Sequence, residues 1–307
     1  MFVRRNPEAT DDYGRSGMEA AAVVALVAGA LWGLNMVASR WGLDTTGTSS
    51  EVGAFVSVGV AALVAGGTAL VGGVDTHGFG VDSMARYALV GAIAPGASQG
   101  MFLTAIRSIG PARTGVLLAT SPMFSVLLAI ALTAETLESS VIVGTTLTIT
   151  GGIMLAHEPD DRGVRAFVRI GSLFAVITAL AFGIRDVAAR ELLGDVDLEV
   201  WWAATMILVS GALVSGTVVV LRGERLLPAC RRALPEMALS GLLVGVALPA
   251  LIWALSRGDV GLVAPLANGS QVMTVVTVST LVYGASERSG RVGPGRRRGG
   301  GGGRRGG

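Results

Sequence analysis

The sequence predicts an all-α integral membrane protein: two inverted five-helix repeats, with about nine transmembrane helices present. Three observations carry this. Hydrophobic residues make up 51% of the 307 positions and charged ones 15%, with a mean hydropathy of +0.63. A soluble chain holds nearer ~25% charge, because its surface must be wetted. The apolar residues fall into long charge-poor runs, and the chain repeats itself at an offset of 150.

The runs, bounded by charged residues, are Ala20 to Ser39, Val52 to Val74, Tyr87 to Ile106 and Thr114 to Ala134, followed by the shorter Val141 to His157. Ile170 to Ile184 comes next, extended if the helix continues past Arg185, then Val200 to Leu221, Met237 to Ser256 and Val260 to Ser286. About twenty apolar residues cross the ~30 Å of hydrocarbon as a helix, so each is read as a span. Ala20 to Ser39 is too long for the apolar core of a signal peptide and is expected to be retained. The longest connection, Arg222 to Glu236, is fifteen residues, which leaves no room for a soluble domain between spans.

The repeat is clearest where Gly33-Leu34-Asn35-Met36-Val37-Ala38-Ser39-Arg40 lines up with Gly183-Ile184-Arg185-Asp186-Val187-Ala188-Ala189-Arg190. Ala88, Leu89 and Gly91 pair in the same way with Ala238, Leu239 and Gly241. Five spans per copy is an odd number, so the second copy enters the membrane in the opposite sense. Inverted duplications of this kind build a substrate site between the halves and suit alternating access. The expected division is an extension over 1–19, a first repeat over 20–157, a second over 168–287 and a tail over 288–307. Gly96 with Gly100 and Gly241 with Gly245 stand at the spacing that lets helices approach closely in lipid.

Residues in the first copy resemble a known family. Ala105-Ile106-Arg107, the run from Thr114 through Pro122 to Phe124, Glu135-Thr136-Leu137, Val143-Gly144 and Gly151-Gly152 look like the EamA repeat of the drug/metabolite transporter superfamily. Its fourth helix holds a mid-span Pro and closes on a Glu about thirteen residues later; Pro122 and Glu135 are thirteen apart, and Trp32-Gly33 fits the first helix. The resemblance covers roughly residues 20 to 287. It implies ten helices in two inverted repeats, transport of a small organic metabolite and no shared catalytic set. Glu135 and Glu287 then read as helix-closing caps.

The second copy departs from the pattern in two places. A tenth span is due near residue 291, but residues 288–307 hold seven Arg and ten Gly in twenty positions. Either this is a functional Arg/Gly tail that binds an anionic partner, or it is a wrong reading frame that replaces the tenth helix. The absence of Lys from the chain fits a GC-rich gene and favours the frame error. The tail lacks aromatic residues for base stacking, so nucleic acid is not an expected partner, and a disordered tail is expected. A one-base shift near codon 288 that opens no apolar helix would remove the frame-error reading. The formal charge divides accordingly: −5 up to residue 287 and +7 over the tail. Secondly, aligning Ser121 with Ser270 puts Gln271 where Pro122 stands, which leaves Pro265 to kink the ninth span at another depth.

A charge at the centre of a span costs about 2.5–3.5 kcal/mol on insertion scales, so it faces a cavity or a partner. Arg185 and Asp186 are the leading candidates. Successive helix positions point about 100° apart, so they need not pair with each other; the competing reading ends the span at Ile184 and leaves both at the interface. Arg185 would suit a carboxylate-bearing solute, and Asp186 could exchange a proton. Asn35, Gln99, Ser121, Asn268 and Gln271 are the polar candidates and Trp32, Phe102 and Trp253 the apolar walls of a substrate cavity. Interhelical hydrogen bonding or an interfacial aromatic belt is the alternative for each of them. His77 and His157 are isolated and Cys230 is the only cysteine, which excludes a multi-cysteine metal site. No nucleophile has a base beside it, so no enzyme, metal or cofactor is expected. The expected partners are the solute and the bilayer, with a homodimer left open. Loop Arg counts, seven on the N-terminal side against ten opposite, put the N-terminus outside, whereas the resemblance implies it inside. The chain is therefore read as a permease of the cell membrane or, alternatively, as a non-transporting product of a truncated or frame-shifted transporter gene.

Overall fold

A computed structural model of the chain describes residues 11–75, 80–133, 162–195, 199–258 and 260–283. Among the described residues every regular element is a helix. The order is α1 (Asp11–Thr46), α2 (Ser50–Val71), α3 (Val81–Gly91), a π turn (Ala92–Ala97), α4 (Ser98–Ile109), α5 (Pro111–Leu118) and α6 (Ser121–Thr133), then α7 (Arg162–Asp195), α8 (Val200–Leu221), α9 (Leu226–Arg257) and α10 (Val260–Tyr283). Seven helical segments of the described residues are long and apolar enough to cross a bilayer.

The expected spans differ from these in informative ways. The fourth, Thr114 to Ala134, is two short helices, α5 and α6, broken around Ala119 and Thr120; Pro122 is the second residue of α6, where its missing N–H costs no intrahelical bond. The third runs Val81–Ile109 as one segment but is interrupted by the π turn, with Ala94 off the helical region (φ −141°, ψ 114°) beside Pro95. The connection expected over Arg222 to Glu236 is mostly the first turns of α9, because charges sit on a helix as readily as in a loop: Arg231 and Arg232 are exposed there while Ala233 and Met237 are buried. The fifth expected span, Val141 to His157, and residues 288–307 lie outside the described residues. The turn between α4 and α5 is set by Gly110, whose φ of +83° only glycine adopts freely, followed by Pro111 at the start of α5.

The two halves interdigitate. α1 packs chiefly on α9 and α10, while α7 packs on α4 and α6, and α2 lies against α8 and α9. The close approaches come in pairs that exchange when 150 is added to one number and subtracted from the other. Gly91 abuts the backbone of Ile207, and Gly241 abuts the carbonyl of Ser57. Gly33 sits against Gln271, Thr274 and Val275, and Gly183 against Ser121, Phe124 and Ser125. Pro95 meets Gly211, and Ala61 meets Gly245. These glycines let helix backbones touch where lipid supplies no hydrophobic drive for association. Gly241 and Gly245 therefore serve the packing expected of them, whereas a Cβ on Gly100 would come no closer than 4.0 Å to Glu51. The exchange also corrects the register of the ninth span: Ser121 corresponds to Gln271 and Pro122 to Val272. Pro265 lies inside the single unbroken helix α10.

Candidate functional site

Between α1 and α7, which are joined here by side chains only, Trp32 meets Phe182, the residue at an offset of 150 from it, with ring centroids 5.8 Å apart. Phe102 of α4 joins them, 6.2 Å from Phe182. The guanidinium of Arg185 lies 4.6 Å from the Phe182 centroid and 5.6 Å from that of Trp32. Its Nε and Nη2 both donate to Asp186 Oδ1, at 2.9 and 2.7 Å. Helix α7 continues to Asp195, so the span does not end at Ile184, and Arg185 and Asp186 are only 4% and 6% exposed. Sequence neighbours do pair here, because the long Arg side chain folds back across the 100° between them. Two opposite charges excluded from water tolerate burial when paired and hydrogen-bonded, and the ring faces add attraction for the cation.

Gln99 stands one turn before Phe102 on α4, is 1% exposed, and neither its Nε2 nor its Oε1 has a hydrogen-bond partner among the described residues. The Trp32 indole N–H is likewise unpartnered. Buried polar atoms are nearly always satisfied; Asn35 Nδ2, Tyr87 Oη, Ser98 Oγ and Ser279 Oγ are unpartnered as well, so it is the rings and the ion pair, with these two groups, that mark this region.

The other candidates form separate groups. Asn35 Oδ1 accepts from Ser240 Oγ at 2.7 Å and Ser39 Oγ at 3.2 Å, and Ser57 Oγ lies 2.8 Å from Ser240 Oγ. This fully buried knot ties α1, α2 and α9 together. Ser121 Oγ donates to Asn268 Oδ1 at 3.4 Å, and Gln271 Nε2 points at Met36 Sδ, 3.6 Å away. Trp253 does not join the centre: it is half-buried beside a cluster of Ala21, Ala25 and Leu251, with Arg257 stacked 4.9 Å from its ring. Phe182 was not singled out from the sequence, although adding 150 to Trp32 points to it. Among the described residues, no group of three or more His, Cys, Asp or Glu could hold a metal ion.

Residues 20–156 match the model of the EamA-like transporter family. This segment is EamA-like. With seven segments that can cross a bilayer, the chain is a multi-pass membrane protein whose residues 20–156 match a transporter-family model. No curated protein matches the chain. A solved structure described only as "Crystal structure of protein" is similar over 88% of this chain and 96% of its own, with 18% identity and a TM-score of 0.63. That likeness concerns the fold.

Proposed function

We propose that the chain is a secondary transporter that moves a small organic metabolite across the cell membrane by alternating access, with its solute held between α1 and α7. The observation that carries this is the buried Arg185–Asp186 pair among Trp32, Phe102 and Phe182, beside the unpartnered Gln99. A family without a catalytic set has little use for a desolvated ion pair at its symmetry axis except recognition or coupling. A carboxylate-bearing solute competes with Asp186 for the Arg185 guanidinium, and Asp186 gives up that partner by taking a proton. Anion binding and proton uptake are thereby linked at one pair. The exchanged contacts at an offset of 150 support two inverted repeats over 20–157 and 168–287, and with them a rocking mechanism.

The test is uptake of labelled small carboxylates, amino acids and nucleosides into proteoliposomes. Flux that Arg185→Ala and Asp186→Asn abolish supports the reading; flux that both leave unchanged overturns the assignment of the site. The second reading, a chain without turnover, draws on the Arg/Gly sequence over 288–307 where a tenth span is due. It is favoured if no solute moves until a helix-coding frame is restored there.

A further inference from the structure

We propose that Arg40 and Arg107 form a latch that closes one end of the transport path and must break for that end to open. Arg40 Nη1 donates to the carbonyls of Ile106 and Arg107 at 2.9 Å each, on the last turn of α4, while its Nε is held by Asp44 at 2.6 Å. Arg107, in return, donates through Nη2 to the carbonyls of Thr48 and Leu43, at and just beyond the end of α1. Each arginine therefore caps the other's helix end with charge-assisted bonds, sharing the carbonyls of Ile106 and Leu43 with the N–H groups of Gly110 and Gly47.

The placement of the pair makes it more than two static caps. The latch joins two packed sets, α1 with α9 and α10 and α4 with α7, between which α1 and α4 share few other contacts. Motion of one set against the other strains it, together with the packing of α2 on α4, α5 on α10 and α7 on α9. The repeat gives Arg107 a counterpart, Arg257, at the opposite end of the bundle, where Gly258 approaches Ala21 near the start of α1. Arg257 is exposed and lies over Trp253 of its own helix, which makes it the control position.

The proposal rests on the alternating-access reading, but its test needs no solute. In a Cys230→Ser background, Thr45→Cys, exposed at the end of α1, identifies the latched face of sealed vesicles, and Gln99→Cys reports access to the centre. Gln99→Cys should react slowly with a membrane-impermeant maleimide added at that face. Arg40→Gln or Arg107→Gln should raise the rate about tenfold, the ratio that one charge-assisted hydrogen bond supports. Asp44→Asn, at a half-exposed position, should give a smaller rise, and Arg257→Gln none. Should the two arginine variants fail to fold, Asp44→Asn decides alone. An unchanged rate in a folded latch variant, or an equal rise with Arg257→Gln, makes the contacts static caps and overturns the proposal, whatever the flux assay shows.

Discussion

Removing one member of the Arg185–Asp186 pair should destabilise the bundle far more than removing both. Arg185→Met leaves Asp186 charged at 6% exposure without the 2.7 and 2.9 Å contacts that hold it; breaking a buried pair this way costs about 3–5 kcal/mol. Asp186→Asn should be milder by about 1–2 kcal/mol, because Arg185 keeps the faces of Phe182 and Trp32, and desolvated cation–π contacts are worth up to about 2 kcal/mol. In Arg185→Met/Asp186→Leu both desolvation penalties vanish, and stability should return to within about 2 kcal/mol of the parent. Arg185→Met, Asp186→Leu, their double variant and the parent form a double-mutant cycle, measured by unfolding in mixed micelles of graded denaturing detergent. A coupling energy of about 2 kcal/mol or more is expected. Single effects that add to the double within about 0.5 kcal/mol would refute the claim that the pair is one electrostatic unit. Transport should be lost in all three, separating the role of the pair in function from its role in stability.

Mirror-related glycines should respond alike. Gly33→Val and Gly183→Val place a Cβ within about 3 Å of α10 and α6 respectively, and each should cost about 1–3 kcal/mol in the same assay, while Gly67→Ala, with nothing within 4 Å, should be neutral or slightly stabilising. Ser240→Ala removes three contacts of 2.7 to 3.0 Å and should cost about 1–3 kcal/mol, with Ser39→Ala costing less because its geometry to Asn35 is longer. In the flux assay Trp32→Ala should impair transport and Trp253→Ala should not, since only the former reaches Arg185.

Seven of the expected spans were legible because composition and charge placement respond directly to the bilayer, and the offset of 150 pairs Gly33 with Gly183 and Gly91 with Gly241, positions that make exchanged contacts. Breaks within spans were not legible. The π turn at Ala92–Ala97 sets the Pro95 ring against Gly211, which is a tertiary fact, and the break before Ser121 interrupts a run with no charge to mark it. Charges made poor helix boundaries, since Arg231 and Arg232 ride on the exposed face of α9. Among the site candidates, depth in a span found Trp32, Phe102, Arg185 and Asp186, which the structure gathers. Depth alone also admitted Trp253, because depth does not say which face of a helix looks inward. Phe182 was missed for the converse reason: an apolar residue in an apolar run carries no signal until it is mapped onto Trp32.

Three pairs of close approach, at Gly91, Gly33 and Pro95, obey the two-fold exchange; the chemistry around Asn35 departs from it. Asn35 and Arg185 are counterparts, yet the three hydroxyls around Asn35, from Ser39, Ser57 and Ser240, correspond to Ala189, Ile207 and Val90. An uncharged amide at position 185 therefore has no hydroxyl knot to enter, and Met36, counterpart of Asp186, shows that position 35 needs no carboxylate beside it. Arg185→Asn, the substitution that makes the two copies more alike, should accordingly be no more stable than Arg185→Met, because it buries an amide whose partners exist only on the other side of the axis. Adding Val90→Ser should recover part of that loss if the exchange holds down to single side chains, since Val90 occupies the place of Ser240. Unfolding measurements that show Arg185→Asn alone well above Arg185→Met, or Val90→Ser without effect upon it, would mean that the symmetry stops at the backbone.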